Sequence, residues 1–142
     1  MKKLFILFVL AASAFLTSCS NNDDSGMIIV DKTGKTKTYD LSAVSNPSIS
    51  GTALFEENED GTTIISLNLT GTSSGAHPAH IHMNTAAESG DIVIDLSSVD
   101  GSTGLSSTLV SAFNDGTAVT YSQLLEYDGI SMCMKVQRTW AR

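Results

Sequence analysis

The stretch GAHPAHIH, residues 75–82, holds every histidine of this 142-residue chain: His77, His80 and His82. Neutral imidazole is a ligand for zinc and copper, and three protein donors are the smallest set that makes a catalytic zinc site. Pro78 has no N–H to give to a ladder, so a strand is expected to start after it, at Ala79. Alternation then sends Ala79, Ile81 and Met83 to one face and His80 and His82 to the other. Residues i and i+2 of a strand stand about 7 Å apart, close enough for two imidazoles to share an ion. His77 would reach in from before the proline, and an acidic side chain such as Glu88 or Asp91 would complete the shell. The competing reading is structural: the three rings hydrogen-bond backbone carbonyls and carboxylates and fix the glycine-rich loop 71–75. No catalytic residue is assigned and no enzyme is expected: serines are abundant, but no nucleophile with a positioned base can be argued.

The elements that carry these residues read as short strands. Period-two patterning over 27–30, 36–41, 49–57, 62–70, 79–83, 91–96 and 106–110 is separated by turn signals at 32–34, 59–61, 71–75, 100–101 and 114–116. Asp60-Gly61 predicts a tight hairpin with positive φ angles. In the strand after it, Ile65, Leu67 and Leu69 alternate with Ile64, Ser66, Asn68 and Thr70, which gives one apolar face. A single helical turn is expected at 121–125, capped by Thr120 or Ser122. The pattern is all-β: an antiparallel Greek-key sandwich or open barrel.

The first 18 residues pair a basic start, Lys2 and Lys3, with an apolar run over 4–15 and then small residues, which is a secretory signal. Leu16-Thr17-Ser18-Cys19 resembles a bacterial lipobox, and this implies cleavage before Cys19 and acylation of its thiol. Several acyl chains, at about 0.8 kcal/mol per buried methylene, hold a protein on a bilayer. Residues 19–26 are polar and read as a lipidated tether; their acidic content resembles signals for the outer surface. A single β domain is expected over 27–142, in the cell envelope, anchored to the outer membrane on its periplasmic or cell-surface side.

The chain carries 15 acidic and 8 basic residues, a net charge of -7. Such a surface repels phosphate backbones, so no nucleic-acid partner is expected; an unknown protein or extracellular ligand is. With Cys19 lipidated, Cys133 is left odd and no intradomain disulfide is expected.

Gly71-Thr72, then AHPAHIHMNTAAESGDIVIDLSSVDGSTG, then GTAVTYSQLLEYDG resemble a CHRD domain, the module named after the repeats of chordin. The resemblance covers roughly residues 39–129 and implies an extracytoplasmic β domain with a non-enzymatic binding or envelope-structural role. The alternative role is copper or zinc binding through His77, His80 and His82. A more distant similarity is to the copper-zinc superoxide dismutase fold, where His80 and His82 would match two copper ligands and His77 a histidine that does not bind copper. That enzyme needs further histidines, and this chain has none, so dismutation is not implied.

The tail departs from the CHRD pattern. Relatives continue with a segment like YINVH and a final strand near LGT, whereas residues 130–142 read ISMCMKVQRTWAR. Back-translated with suitable codons and read from the third base, the same stretch encodes Ile-Asn-Val-His-Glu, and the codons of Met132 to Lys135 force the Val and the Glu. A changed reading frame at about Gly129 to Ile130 is therefore expected, leaving the domain without its last strand.

Overall fold

A computed structural model describes residues 30–43, 48–84, 90–127 and 131–132. They form one antiparallel sheet and one short helix. The strands are β1 (Lys32–Ser42), β2 (Ser50–Asn58), β3 (Thr63–Thr70), β4 (Ala76–His82), β5 (Ile92–Asp100), β6 (Leu105–Val110) and β7 (Ser131–Met132), with α1 (Tyr121–Glu126) between the last two. Their order across the sheet is β1-β2-β3-β6-β5-β4-β7. The all-β expectation holds. Buried side chains from both halves of the sheet, Phe55 and Leu67 on one side, Ile81 and Leu96 on the other, belong to one core. Sharing that core requires the sheet to curl over itself.

Alternation builds this core. In β3, Thr63, Ile65, Leu67 and Leu69 are buried while Asn68 and Thr70 are exposed, as the sequence pattern requires. Phe55 on β2 faces Ile65 in register and packs against Tyr39 of β1, ring centres 5.4 Å apart at 77°. Thr120 caps α1, and Gln123 reaches back to the Thr120 N–H at 2.9 Å. Buried Tyr121 and Leu124 then turn inward from one face of the helix. Among the described residues no helix is long and apolar enough to cross a membrane.

Several boundaries differ from the sequence expectation. Residues 27–29 lie outside the described residues, and Val30 is not in a strand. The turn expected at 32–34 is instead a bulge inside β1: Lys32 pairs with Asn58 and Thr36 with Glu56, and Gly34 takes φ 85°. The β2–β3 hairpin is wider than a two-residue primed turn. Asn58 N–H donates to Thr62 O at 2.9 Å and Gly61 N–H to Asn58 O at 3.1 Å. Gly61 takes φ 85°, while Asp60 is not among the positive-φ residues. A three-residue loop with one left-handed glycine relieves Asp60 of the conformation that costs an L residue most.

Asp60, Asp100 and Asp115 share one turn chemistry. Each carboxylate accepts the backbone N–H of the residue two positions on, Thr62, Ser102 or Thr117. These bonds, with the neighbouring hydroxyls, hold all three carboxyls below the ordinary range. Because the folded state favours the ionised form, the contribution is present above about pH 4 and is lost as pH falls through the lower folded-state values. The combined variant Asp60→Asn, Asp100→Asn and Asp115→Asn will therefore lose stability less steeply on acidification. Denaturant midpoints measured at stepwise lower pH check this; an unchanged slope refutes the assignment.

Candidate functional site

The three histidines sit on β4, but not on one face. His77 is 6% exposed and lies with Ala79 and Ile81 on the core side. The strand already begins at Ala76, before Pro78. Position 78 is accommodated because β5 bulges opposite it: His77 pairs with Val99 and Ala79 with Leu96, so Ser97 and Ser98 together face the single proline. His77 thus keeps the parity of Ala79 and is directed away from the other two rings. The structure does not bring His77, His80 and His82 together as one ligand set.

Each ring instead meets an oxygen acceptor. His77 Nε2 is 2.7 Å from Ser73 O, and His82 Nδ1 is 2.8 Å from Gly90 O. A carbonyl oxygen can only accept, so those nitrogens carry the protons. His77 fastens the loop after β3 to the start of β4, and that loop is joined to the β5–β6 turn by Gly101 N–H donating to Gly75 O at 2.7 Å and Thr72 Oγ1 to Gly101 O at 2.9 Å. Fixing of the 71–75 loop, the structural expectation, describes His77 well. His82 ties the end of β4 to the start of β5. Met83, expected in the strand and core-facing, is 42% exposed beyond the strand's end, although its N–H still donates to Asp91 O at 2.8 Å. Asn84, which follows it, takes φ 62°.

His80 and His82 share the outer face, ring centres 6.1 Å apart and planes at 81°. Directly across from His80 in register is Asp95 of β5, and its Oδ1 lies 3.5 Å from His80 Nε2. Asp95 is held in turn by Asn114. Where β6 diverges from β5, their register holding at Asp100 and Leu105, the hairpin after β6 runs alongside β5. There Asn114 N–H donates to Val93 O at 2.8 Å, Asp95 N–H donates to Asn114 Oδ1 at 3.1 Å, and Asn114 Nδ2 donates to Asp95 Oδ2 at 3.1 Å. One side chain thereby replaces a missing strand neighbour and orients a carboxylate.

Sequence reasoning did not select Asp95, although its place between Ile94 and Leu96 marks it as outward-facing; only the β4–β5 register sets it against His80. Asp91 is described and exposed, while Glu88 lies outside the described residues, as do Cys19 and Cys133. Among the described residues no three His, Cys, Asp or Glu side chains close on a common point. Ser131 and Met132 of β7 pair with His82 and Ile81 along the edge of β4, so a strand of two residues stands where the altered frame was expected to leave none. The residues after it lie outside the described ones.

Comparison with protein-family models, with curated proteins and with solved structures finds no match for this chain.

Proposed function

We propose that this is a lipid-anchored, extracytoplasmic β domain of CHRD type, with a non-enzymatic role in binding or in envelope structure. The observation that supports this reading is the use made of the HPAHIH histidines. His77 and His82 each bond a backbone carbonyl of a connecting segment, and His80 faces a carboxylate. A motif that fixes loops on a sheet is a fold signature, and its residues have tasks that leave no positioned base with a nucleophile. In this reading the domain presents its loops to a protein or other extracellular ligand, Cys19 carries the acyl chains, and the acidic surface keeps nucleic acid away.

Anchoring has a direct test. In cell fractionation Cys19→Ala will move the protein from the membrane pellet into the soluble fraction, with circular dichroism of the β domain unchanged. Retention of a folded Cys19→Ala protein on membranes would show that the thiol is not the anchor.

A further inference from the structure

Every lysine or arginine among the described residues lies on one strand. Lys32, Lys35 and Lys37 all belong to β1, in a protein of net charge -7. β1 also stands at the end of the strand order, bonded to β2 on one side and to no described strand on the other. From Thr36 to Ser42 its pairing with β2 is unbroken, and among the described residues no other segment bonds its backbone there. Alternate residues of such a strand direct their N–H and C=O groups outward, and those are the groups an added strand uses.

Lys32 and Lys35 are neutralised within the domain, by Glu56 at 2.7 Å and Glu57 at 2.9 Å. Lys37 is not. Its ammonium stands 5.5 Å from the centre of the Tyr39 ring and meets no carboxylate among the described residues. By alternation Lys37, Tyr39 and Leu41 share one face of β1, and Tyr39 and Leu41 are only half-buried where they pack against the core. The rim of the core therefore ends at β1 with two incompletely covered apolar side chains and then a cation.

Lysines and bulges on an edge strand also keep sheets from joining, and the bulge between Lys32 and Thr36 has that effect on the first part of β1. Thr38 to Ser42 carries neither device. A second copy suits the edge poorly, because two-fold antiparallel pairing centred on Lys37 sets like charges opposite one another. An acidic strand meets no such repulsion and gives Lys37 a counter-charge.

We propose that the free edge of β1, over Thr36 to Ser42, binds an extended acidic segment of a partner protein by strand addition. In antiparallel alignment the partner sets apolar side chains beside Leu41 and Tyr39 and a carboxylate beside Lys37, on alternate residues. Backbone hydrogen bonds supply the affinity, and this alternation supplies the selectivity. The surface is separate from the histidine-bearing strand and from the lipid anchor, and it depends on neither.

The test uses the full-length protein in detergent and the synthetic peptide Val-Thr-Val-Thr-Glu-Thr-Glu, blocked at both ends, with Val-Thr-Val-Thr-Lys-Thr-Lys as its counterpart. With the glutamate peptide, the amide signals of Thr36 to Ser42 will shift and saturate. Every second amide there will gain protection from hydrogen exchange, since only alternate N–H groups face the edge. The lysine peptide will bind about tenfold more weakly or worse, its cross-strand pairs having turned from attraction to repulsion. Lys37→Glu, at an exposed position, will reverse that preference, and its binding of the lysine peptide will itself show that the variant is folded. Four results would overturn the proposal. They are no saturation by about 1 mM glutamate peptide, equal affinity for the two peptides, protection that appears along β4 instead of β1, and protection of β1 that rises with protein concentration in the absence of peptide, the mark of a second copy. All four are read from the unaltered chain.

Discussion

Phe55→Ala will lower the stability of the domain by about 3–5 kcal/mol. Phe55 is 0% exposed. It faces Ile65 across the β2–β3 ladder and meets the edge of Tyr39 at 5.4 Å between ring centres. Truncation removes the transfer free energy of the ring and leaves a cavity where β2 is paired without a register break around Phe55 to β1, over Thr36 to Ser42, and to β3, so the backbone has little freedom to close in. Since a domain of this size has roughly 5–15 kcal/mol in total, the variant should stand near the edge of folding. Urea unfolding followed by circular dichroism measures it, with the midpoint falling and the slope nearly unchanged. A loss below about 1.5 kcal/mol would mean that the core can collapse around the gap and that Phe55 is not its centre.

Gly101→Ala will be nearly as damaging, for a different reason. A Cβ at position 101 would stand 1.8 Å from Ser73 O, 2.6 Å from His77 Nε2 and 2.8 Å from Gly75 O. Two of these are backbone atoms of the loop that His77 fastens, and no rotamer change moves them aside. The loop must lift, breaking the bonds from His77 to Ser73, from Gly101 to Gly75 and from Thr72 to Gly101. Overpacking costs about 1–3 kcal/mol and each lost bond about 1 more, so roughly 3 kcal/mol or above is expected. The signature separates this from a core lesion: amide exchange and proteolysis will speed up first in residues 71–77, before global unfolding. If Gly101→Ala keeps the protection of that loop, the His77 clamp is not what holds it.

Much of the sheet was legible because alternation is a local property. Ile65, Leu67 and Leu69 declare their face within eight residues, and Thr120 followed by Gln123 declares a cap within four. Asp-Gly-Thr and Asp-Gly-Ser declare turns by the hydrogen bonds that a carboxylate can make two residues ahead. Parity across an interruption is not legible locally. A strand that starts after Pro78, at Ala79, leaves His77 free to join His80 and His82. In the fold the accommodation is made on the other strand, by Ser97 and Ser98, and nothing in the spacing around Pro78 reports a bulge in a partner 20 residues away. The same bulge explains why β5 runs on to Asp100 when its alternation fails after Leu96: the parity changes, and Val99 returns to the core.

By itself the sequence determined the all-β class, the apolar face of β3, the outward direction of His80 and His82, and the Asp-Gly turns at Asp60, Asp100 and Asp115, because each depends on the stereochemistry of a few consecutive residues. The tertiary structure alone decided which strands are neighbours, that His77 is a buried clamp on the 71–75 loop, and that Asp95, held by Asn114, is the acidic residue facing His80. Those are facts of register between distant segments. They are set by the one arrangement that buries both halves of the sheet in a common core, and that arrangement is a property of the whole chain rather than of any stretch of it.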